Sequence, residues 1–284
     1  MRRITGATRV AGLIGGPHQV AHSLSPPLHN GAFAALDLDW VYVGFPVRDS
    51  VKEAIRGLAM AGVAGLNVTM PHKLAAAAAL DRLAGSTAEI GAVNTVEVTD
   101  TGLVGWNTDG EGLLSFLRQE AGMEVRGASV LVLGAGGSAR SVVASIAAAR
   151  AGSVTLAARS RSRAQELAAL CAGVAFRAET LGPAISEVVA ASDLIVNATP
   201  VGQQGESALI DPGAIRPGSI VVDLVYHPRV TRLVEAAARR GARAYGGLGM
   251  LVHQAALAFE IWTGSPAPLP AMWAAVEAAA ATKR

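Results

Sequence analysis

The chain has 284 residues and a formal charge of +2, from 24 basic and 22 acidic side chains. Its pI of about 9.0 therefore describes a near-neutral molecule with no broad basic face for nucleic acid. A hydrophobic fraction of 51% with only 16% charged residues excludes a disordered chain, and a single cysteine excludes a disulfide framework or a multi-cysteine zinc site. No apolar run reaches the roughly 18–20 residues of a membrane span. Much of the positive mean hydropathy is alanine, as at 75–79, and Arg2-Arg3 is followed by Thr5, Gly6, Thr8 and Arg9, not by an apolar signal segment. The expectation is a cytoplasmic protein of one large or two modest domains.

Short apolar runs that end near glycine or a polar residue alternate with longer amphipathic stretches. Residues 10–15 read as a strand. Ser25 before Pro26, within His22-Ser23-Leu24-Ser25-Pro26, reads as a helix start with serine as the cap. In 51–61, Ile55, Leu58 and Ala59 lie on one side of a helix and Lys52, Glu53 and Arg56 on the other. Three more polar clusters follow: Asn67-Val68-Thr69-Met70-Pro71-His72-Lys73, Ala92-Val93-Asn94-Thr95 and Asn107-Thr108-Asp109-Gly110. Taken singly, these read as turns and an exposed lysine. Taken together, they place hydroxyls, amides, one ammonium and one carboxylate at strand and loop ends, where open α/β sheets bind ligands. That inventory suits a small polyhydroxylated acid. A lysine paired with an aspartate suits proton transfer beside a hydride-transfer cofactor.

A helix over 113–120 leads to a second series. Residues 130–134 form an apolar strand that runs into Gly134-Ala135-Gly136-Gly137-Ser138-Ala139-Arg140, and an apolar helix follows over 142–149. Gly134 makes the turn, Gly136 lets backbone approach a pyrophosphate, and Ala139 allows close helix packing. The helix start offers free N–H groups to phosphate. A second strand at 154–158 ends in Arg159-Ser160-Arg161-Ser162-Arg163, with no acidic residue from 154 to 163. An acidic residue there would hold the ribose 2′-hydroxyl of NAD; arginine suits the 2′-phosphate of NADP. Read plainly, the arginines are also a solvated helix start, and Arg161 is the one expected to point outward. Strands at 194–197 and 220–223, and helical stretches at 162–170, 185–191 and 232–240, continue the alternation. It implies βαβ units in a parallel sheet with helices on both faces. Two helices, 251–262 and 271–281, close the chain.

The stretches HSLSP (22–26), NVTMPHK (67–73), GAVNT (91–95), NTDG (107–110), GAGGSAR (134–140), NATPVG (197–202), DLVYHP (223–228) and GLGMLVHQA (247–255) span nearly the whole chain. In these motifs and their order the chain resembles the shikimate dehydrogenase family. The resemblance implies a two-lobed α/β fold around a cleft. An N-terminal α/β substrate domain, completed by the C-terminal helices (1–110 and 247–284), would accompany a Rossmann NADP-binding domain (111–246). It implies an NADP-dependent oxidoreductase that reversibly reduces 3-dehydroshikimate to shikimate, a step toward chorismate and the aromatic amino acids. Its partners would be small molecules, with no nucleic acid and no membrane, and the protein would be a monomer or homodimer.

By the same resemblance, Ser23 and Ser25 bind the substrate carboxylate, with Tyr226 near it. Thr69, Asn94 and Gln254 contact substrate hydroxyls and carbonyl, and Asn67 supports the same wall. Lys73 and Asp109 form the catalytic pair; Lys73 is preferred as proton donor and Asp109 as its charge-balancing partner. Thr199, Pro200 and Val201 line the cofactor, and Gly247 and Met250 lie on its nicotinamide side. The chain departs from the family's usual Gly-x-Pro-Val-x-His-Ser start by two extra residues within 16–22. Trp106 reads as packing, and the scattered histidines read as structural, with no metal site. Quinate/shikimate and aminoshikimate dehydrogenases are the neighbouring alternatives; the distant one is a nucleotide-sensing relative without catalysis. Quinate-type relatives often carry threonine at the second hydroxyl and an acidic residue near the ribose, where this chain has Ser25 and Arg159.

Overall fold

The computed structural model describes residues 4–282. The chain forms two compact units. One runs up to Thr108 and resumes at Leu251; the other is Asp109–Met250.

In the first unit, β1 (Arg9–Gly15) is apolar and buried over most of its length, as a strand covered on both faces must be. Next come α1 (Pro17–Ala21), α2 (Ser25–Ala35), β2 (Trp40–Pro46), α3 (Val51–Met60) and β3 (Val63–Val68). The unit continues through α4 (Lys73–Ala77), β4 (Arg82–Leu83), α5 (Thr87–Ile90), β5 (Thr95–Thr99) and β6 (Gly102–Trp106). The six strands make one sheet in the order β2-β1-β3-β5-β6-β4. Both β2 and β3 run parallel to β1, whereas β5 is antiparallel to β3 and to β6. The expectation of a parallel sheet is corrected here. Asn94-Thr95, read as a turn, opens a hairpin strand, and the tight turn at Gly102 (φ 130°) reverses the chain without a crossover helix.

The expected return of the C-terminal helices is observed. In this unit, Trp262 lays its indole on β3 over Gly65, where any Cβ would collide with the ring, and its Nε1–H donates to the Val96 carbonyl at 3.0 Å.

The second unit contains α6 (Asp109–Gln119), β7 (Ser129–Leu133), α7 (Gly137–Ala148), β8 (Ser153–Ala158), α8 (Arg161–Gln165), β9 (Ala175–Thr180), α9 (Ser186–Ala191), β10 (Leu194–Asn197), β11 (Ile220–Asp223), α10 (Arg232–Arg239) and β12 (Arg243–Tyr245). The last two helices are α11 (Leu248–Thr263), which begins in this unit, and α12 (Leu269–Thr282). The sheet order β12-β11-β10-β7-β8-β9 is parallel throughout. It is the doubly wound dinucleotide-binding order, with its switch point between β7 and β10. Among the described residues no helix is long and apolar enough to cross a membrane.

Candidate functional site

In the first unit Asn67, Asn94 and Gln254 of the predicted residues come together where β3, the start of β5, the end of β6 and α11 meet. Asn67 is buried near the end of β3. Its Nδ2 donates to the Asn94 carbonyl at 3.2 Å and to Thr95 Oγ1 at 3.1 Å, and its Oδ1 accepts from the Tyr42 hydroxyl at 2.8 Å. Asn94 Oδ1 accepts from the Thr108 N–H at 2.9 Å and from Thr95 Oγ1 at 3.0 Å. Asn94 Nδ2 donates to Thr108 Oγ1 at 2.8 Å and to Gln254 Oε1 at 3.2 Å. Thr108 Oγ1 donates in turn to the Gln254 carbonyl at 3.0 Å. Buried amides left without partners cost free energy, so a network this complete holds its members in one orientation.

Three residues of this network, Thr95, Thr108 and Tyr42, are not among the predicted site residues. Thr95 and Thr108 lie inside the motifs, and an end-of-strand threonine beside asparagine is the signal that marks them. Tyr42 sits in an apolar strand and carries no local signal.

Thr69 follows β3, and its N–H donates to the Ile14 carbonyl at 2.8 Å. Lys73 is half-buried at the start of α4; its carbonyl accepts from the Val93 N–H at 2.8 Å. The preceding His72 is buried and donates through Nε2 to the Val47 carbonyl at 2.8 Å, which fixes the entry to this helix. Ser23 and Ser25 are both buried, with the Ser25 N–H donating to Ser23 Oγ at 3.1 Å. The cap expectation is corrected. Ser25 is the first helical residue and makes no capping bond; the oxygen that meets the first turn belongs to Ser23. Trp106 packs as expected, with its indole N–H on Glu97 Oε2 at 3.0 Å.

In the second unit the glycine loop leaves β7 at the switch point. Gly134 has φ 107°, and a Cβ there would sit 2.9 Å from Thr199 Cγ2 and 3.2 Å from the Ala198 carbonyl. The loops after β7 and β10 therefore abut. Ala135 and Ser138 are half-buried and Ala139 is in the core. Gly136 caps α7 with no side-chain cap bond, and nothing lies within 4 Å of where its Cβ would be. Open space and uncapped N–H groups at the start of a twelve-residue helix fit a pyrophosphate.

Past β8, Arg159 and Arg163 are exposed, and their side chains make no hydrogen bond or ion pair among the described residues. Arg161 instead donates through Nε to the Ala178 carbonyl at 3.0 Å, which ties its stem to β9. Ser160 precedes α8, with its hydroxyl 2.7 Å from that of Ser162.

The loop after β10, with Thr199, Pro200 and Val201, is held by Asn197. Its Oδ1 accepts from the Thr199 N–H and hydroxyl, and its Nδ2 donates to the Val201 carbonyl at 3.1 Å and to Asp223 Oδ1 at 2.9 Å. Asp223 is fully buried and also accepts from the Val225 N–H at 3.1 Å and Thr231 Oγ1 at 2.6 Å. Burial pushes its carboxyl above the ordinary aspartate value, against these three donors. Farther along the same loop, the backbone N–H groups of Glu206 itself, Gln204 and Gly202 hold the Glu206 carboxyl below its usual range. Gly247 donates to the Val225 carbonyl at 3.0 Å, Met250 is in this unit's core, and Tyr226 is half-buried after β11. Asp109 is buried at the start of α6, which packs closely on α7 because Gly110 leaves no Cβ against Ser145.

Among the described residues no group of three His, Cys, Asp or Glu side chains is arranged to hold a metal ion. Cys171 is buried, and burial pushes its thiol up to about 11, far from a reactive thiolate at neutral pH.

The shikimate dehydrogenase (NADP(+)) of Citrifermentans bemidjiense is 49% identical over 272 residues, covering 93% of each chain. The chain belongs to the shikimate dehydrogenase family. The family model described as the shikimate dehydrogenase substrate binding domain matches residues 13–96. The shikimate / quinate 5-dehydrogenase model matches 117–215, and the shikimate 5′-dehydrogenase C-terminal domain matches 247–277. Within the solved shikimate dehydrogenase structures, the Thermus thermophilus shikimate 5-dehydrogenase in complex with NADP(H) and shikimate superposes with a TM-score of 0.86 at 34% identity, covering 95% of this chain and 99% of that one. The quinate dehydrogenase of Corynebacterium glutamicum in complex with NAD superposes equally well, with a TM-score of 0.86 at 30% identity over 95% and 99% of the two chains. The fold alone thus does not choose between shikimate and quinate.

Proposed function

We propose that this shikimate dehydrogenase family member catalyses the NADP-dependent, reversible reduction of 3-dehydroshikimate to shikimate, on the route to chorismate and the aromatic amino acids. The observation that carries the reading is one chain with both a polarity-fixed wall of amides and hydroxyls and a Rossmann loop followed by unpaired arginines. The first unit takes the substrate and the second takes NADP.

Gly134 to Ala139 and the start of α7 would hold the pyrophosphate. Arg159, Ser160 and Arg163 would meet the 2′-phosphate, and Thr199 to Val201 with Gly247 and Met250 would line the nicotinamide. When bound, NADPH supplies the hydride.

This chain's own residues supply the rest. Ser23 and Ser25 donate to the substrate carboxylate, with Tyr226 beside it. Thr69, Asn94 and Gln254, backed by Asn67, recognise the hydroxyls by the direction of their donors and acceptors. Lys73 polarises the carbonyl, stabilises the negative charge that develops on its oxygen and holds the proton that this oxygen receives. Asp109 balances the lysine charge. Two serines at the carboxylate end and arginine after β8 favour shikimate over quinate and NADP over NAD. We place the enzyme in the cytoplasm, as a monomer or homodimer; a lone buried cysteine is consistent with a reducing compartment.

The test is turnover of purified protein with shikimate and then quinate, each with NADP and with NAD, followed by the appearance of reduced cofactor. Shikimate with NADP is the expected preferred pair. No turnover with any pair overturns the enzyme reading, and preference for quinate with NAD replaces it with the quinate one.

A further inference from the structure

We infer that Tyr42 is a positioning residue for substrate recognition: its hydroxyl anchors the Asn67 carboxamide in the one orientation that the Asn94 carbonyl allows, and so holds Asn94. The inference rests on the reading of the first unit as the shikimate site.

The direction of each bond follows from groups that have no choice. A backbone carbonyl only accepts, so the Asn67 atom 3.2 Å from the Asn94 carbonyl is its nitrogen. Thr95 spends its proton on Asn94 Oδ1 and therefore accepts from Asn67. The remaining Asn67 atom is an oxygen, and the Tyr42 hydroxyl 2.8 Å away must donate to it. At the other end, the Thr108 N–H only donates, which fixes Asn94 Oδ1. Gln254 is fixed because its Nε2 donates to the Leu251 carbonyl at 2.8 Å, leaving Oε1 to accept from Asn94. The orientation of two asparagines and one glutamine is thus one linked assignment, and Tyr42 is its phenolic end.

Tyr42 is itself held on every side. Asn30 on α2 accepts from its N–H at 2.8 Å and donates to its carbonyl at 2.9 Å. The His29 ring stacks on the phenol with centroids 4.4 Å apart and planes 11° apart, and Trp262 lies 6.2 Å away. Without the hydroxyl, Asn67 Oδ1 loses this donor inside the core. Turning the carboxamide over does not restore it, because Oδ1 would then face the Asn94 carbonyl, acceptor against acceptor. Either outcome disturbs Asn94 and leaves the second unit's cofactor loops alone.

Tyr42→Phe keeps the ring and removes the donor. Kinetics with shikimate and NADP, calorimetric binding of shikimate and thermal melting are measured on wild type, Tyr42→Phe and Phe33→Leu. The last variant disturbs the same aromatic cluster without touching the hydrogen-bond chain. For Tyr42→Phe we expect KM and Kd for shikimate to rise at least about fivefold with KM for NADP within twofold; for Phe33→Leu we expect a lower Tm with shikimate KM within twofold. Shikimate KM and Kd within twofold of wild type in Tyr42→Phe overturn the inference, as does an equal rise in Phe33→Leu. Wild type that turns over no shikimate would instead strike at the functional reading itself, a result seen before any variant is compared.

Discussion

The two units solve recognition in opposite ways. In the first, side-chain amides and hydroxyls are buried and their donors and acceptors are preassigned by backbone groups, from Tyr42 through Asn67 and Asn94 to Gln254. In the second, the groups we propose to meet the cofactor are uncapped N–H groups beside open space at Gly136 and the exposed Arg159 and Arg163. A buried carboxylate, Asp223, pins the loops after β10 and β11. The contrast follows from the ligands each would hold. Ring hydroxyls differ only in position and direction, so discriminating them needs fixed polarity. A phosphate accepts from any direction, so charge and a donor fork on a long, flexible stem suffice.

The comparison breaks first at Lys73, the charged side chain we propose for the first unit's site. Lys73→Ala should lower kcat by about 10²- to 10⁴-fold, the usual range for a lost general acid–base group, with a much smaller rise in shikimate KM. Steady-state kinetics decide it. If KM changes and kcat does not, the lysine belongs with the binding wall.

Acid stability should expose the rigidity of the first unit next. His29 is fully buried with neither ring nitrogen hydrogen-bonded, and burial pushes its pKa from 6.5 down to about 3, with the nearby Asn67 side chain opposing. A depressed histidine contributes stability above its unfolded pKa and loses it as pH falls toward the folded value. Between about pH 6.5 and 3, wild type should therefore lose on the order of a few kcal/mol on this account. Denaturant unfolding of His29→Phe should show a visibly flatter decline over that window; equal declines would remove the imidazole as the cause.

Asp223 tests the clamp of the second unit. Asp223→Ala strands three buried donors and should cost about 1–3 kcal/mol. Asp223→Asn should cost under about 1 kcal/mol, since Oδ1 is kept and Thr231 Oγ1 can turn to accept. Burial raises the folded-state pKa of Asp223, so its contribution is full below the ordinary aspartate value and is lost as pH rises through the raised one. Wild type should accordingly gain on Asp223→Asn as pH falls. A gap that does not move with pH would mean that the carboxyl is not titrating as its burial requires.

The smallest effect should separate two neighbouring arginines. Arg159→Ala should raise KM for NADP roughly tenfold with little change for NAD, as loss of a charge-assisted phosphate contact predicts. Arg161→Ala should change either by less than about twofold, because its guanidinium stem is already spent on the Ala178 carbonyl. Equal effects of the two substitutions would show that charge alone, and not a free fork, meets the 2′-phosphate.

Legibility in the sequence follows the same divide. Buried parallel strands are continuous apolar runs, so 130–134, 194–197 and 220–223 announce β7, β10 and β11, and the glycine loop between strand and helix announces the doubly wound sheet. The β5–β6 hairpin is hidden because its polar ends look like turns. The start of α6 at Asp109 is hidden because Asp109-Gly110 reads as a turn, while the tertiary contact of Gly110 with Ser145 favours helix. The Tyr42–Asn67 bond joins residues 25 apart on strands that β1 separates, and no local pattern foretells such a pairing. The difference between Arg159 and Arg161 likewise depends on where β9 passes.

The pair of hydrogen bonds between Asn30 and Tyr42 has one more consequence. β2 is the outer strand of its sheet, and an outer strand offers unpaired N–H and C=O groups on which a foreign strand can extend the sheet. At Tyr42 both groups are already taken by a side chain that imitates the missing neighbour. An invading strand would have to displace Asn30 before it could add, so the contact that holds the tyrosine also closes that stretch of sheet margin to self-association.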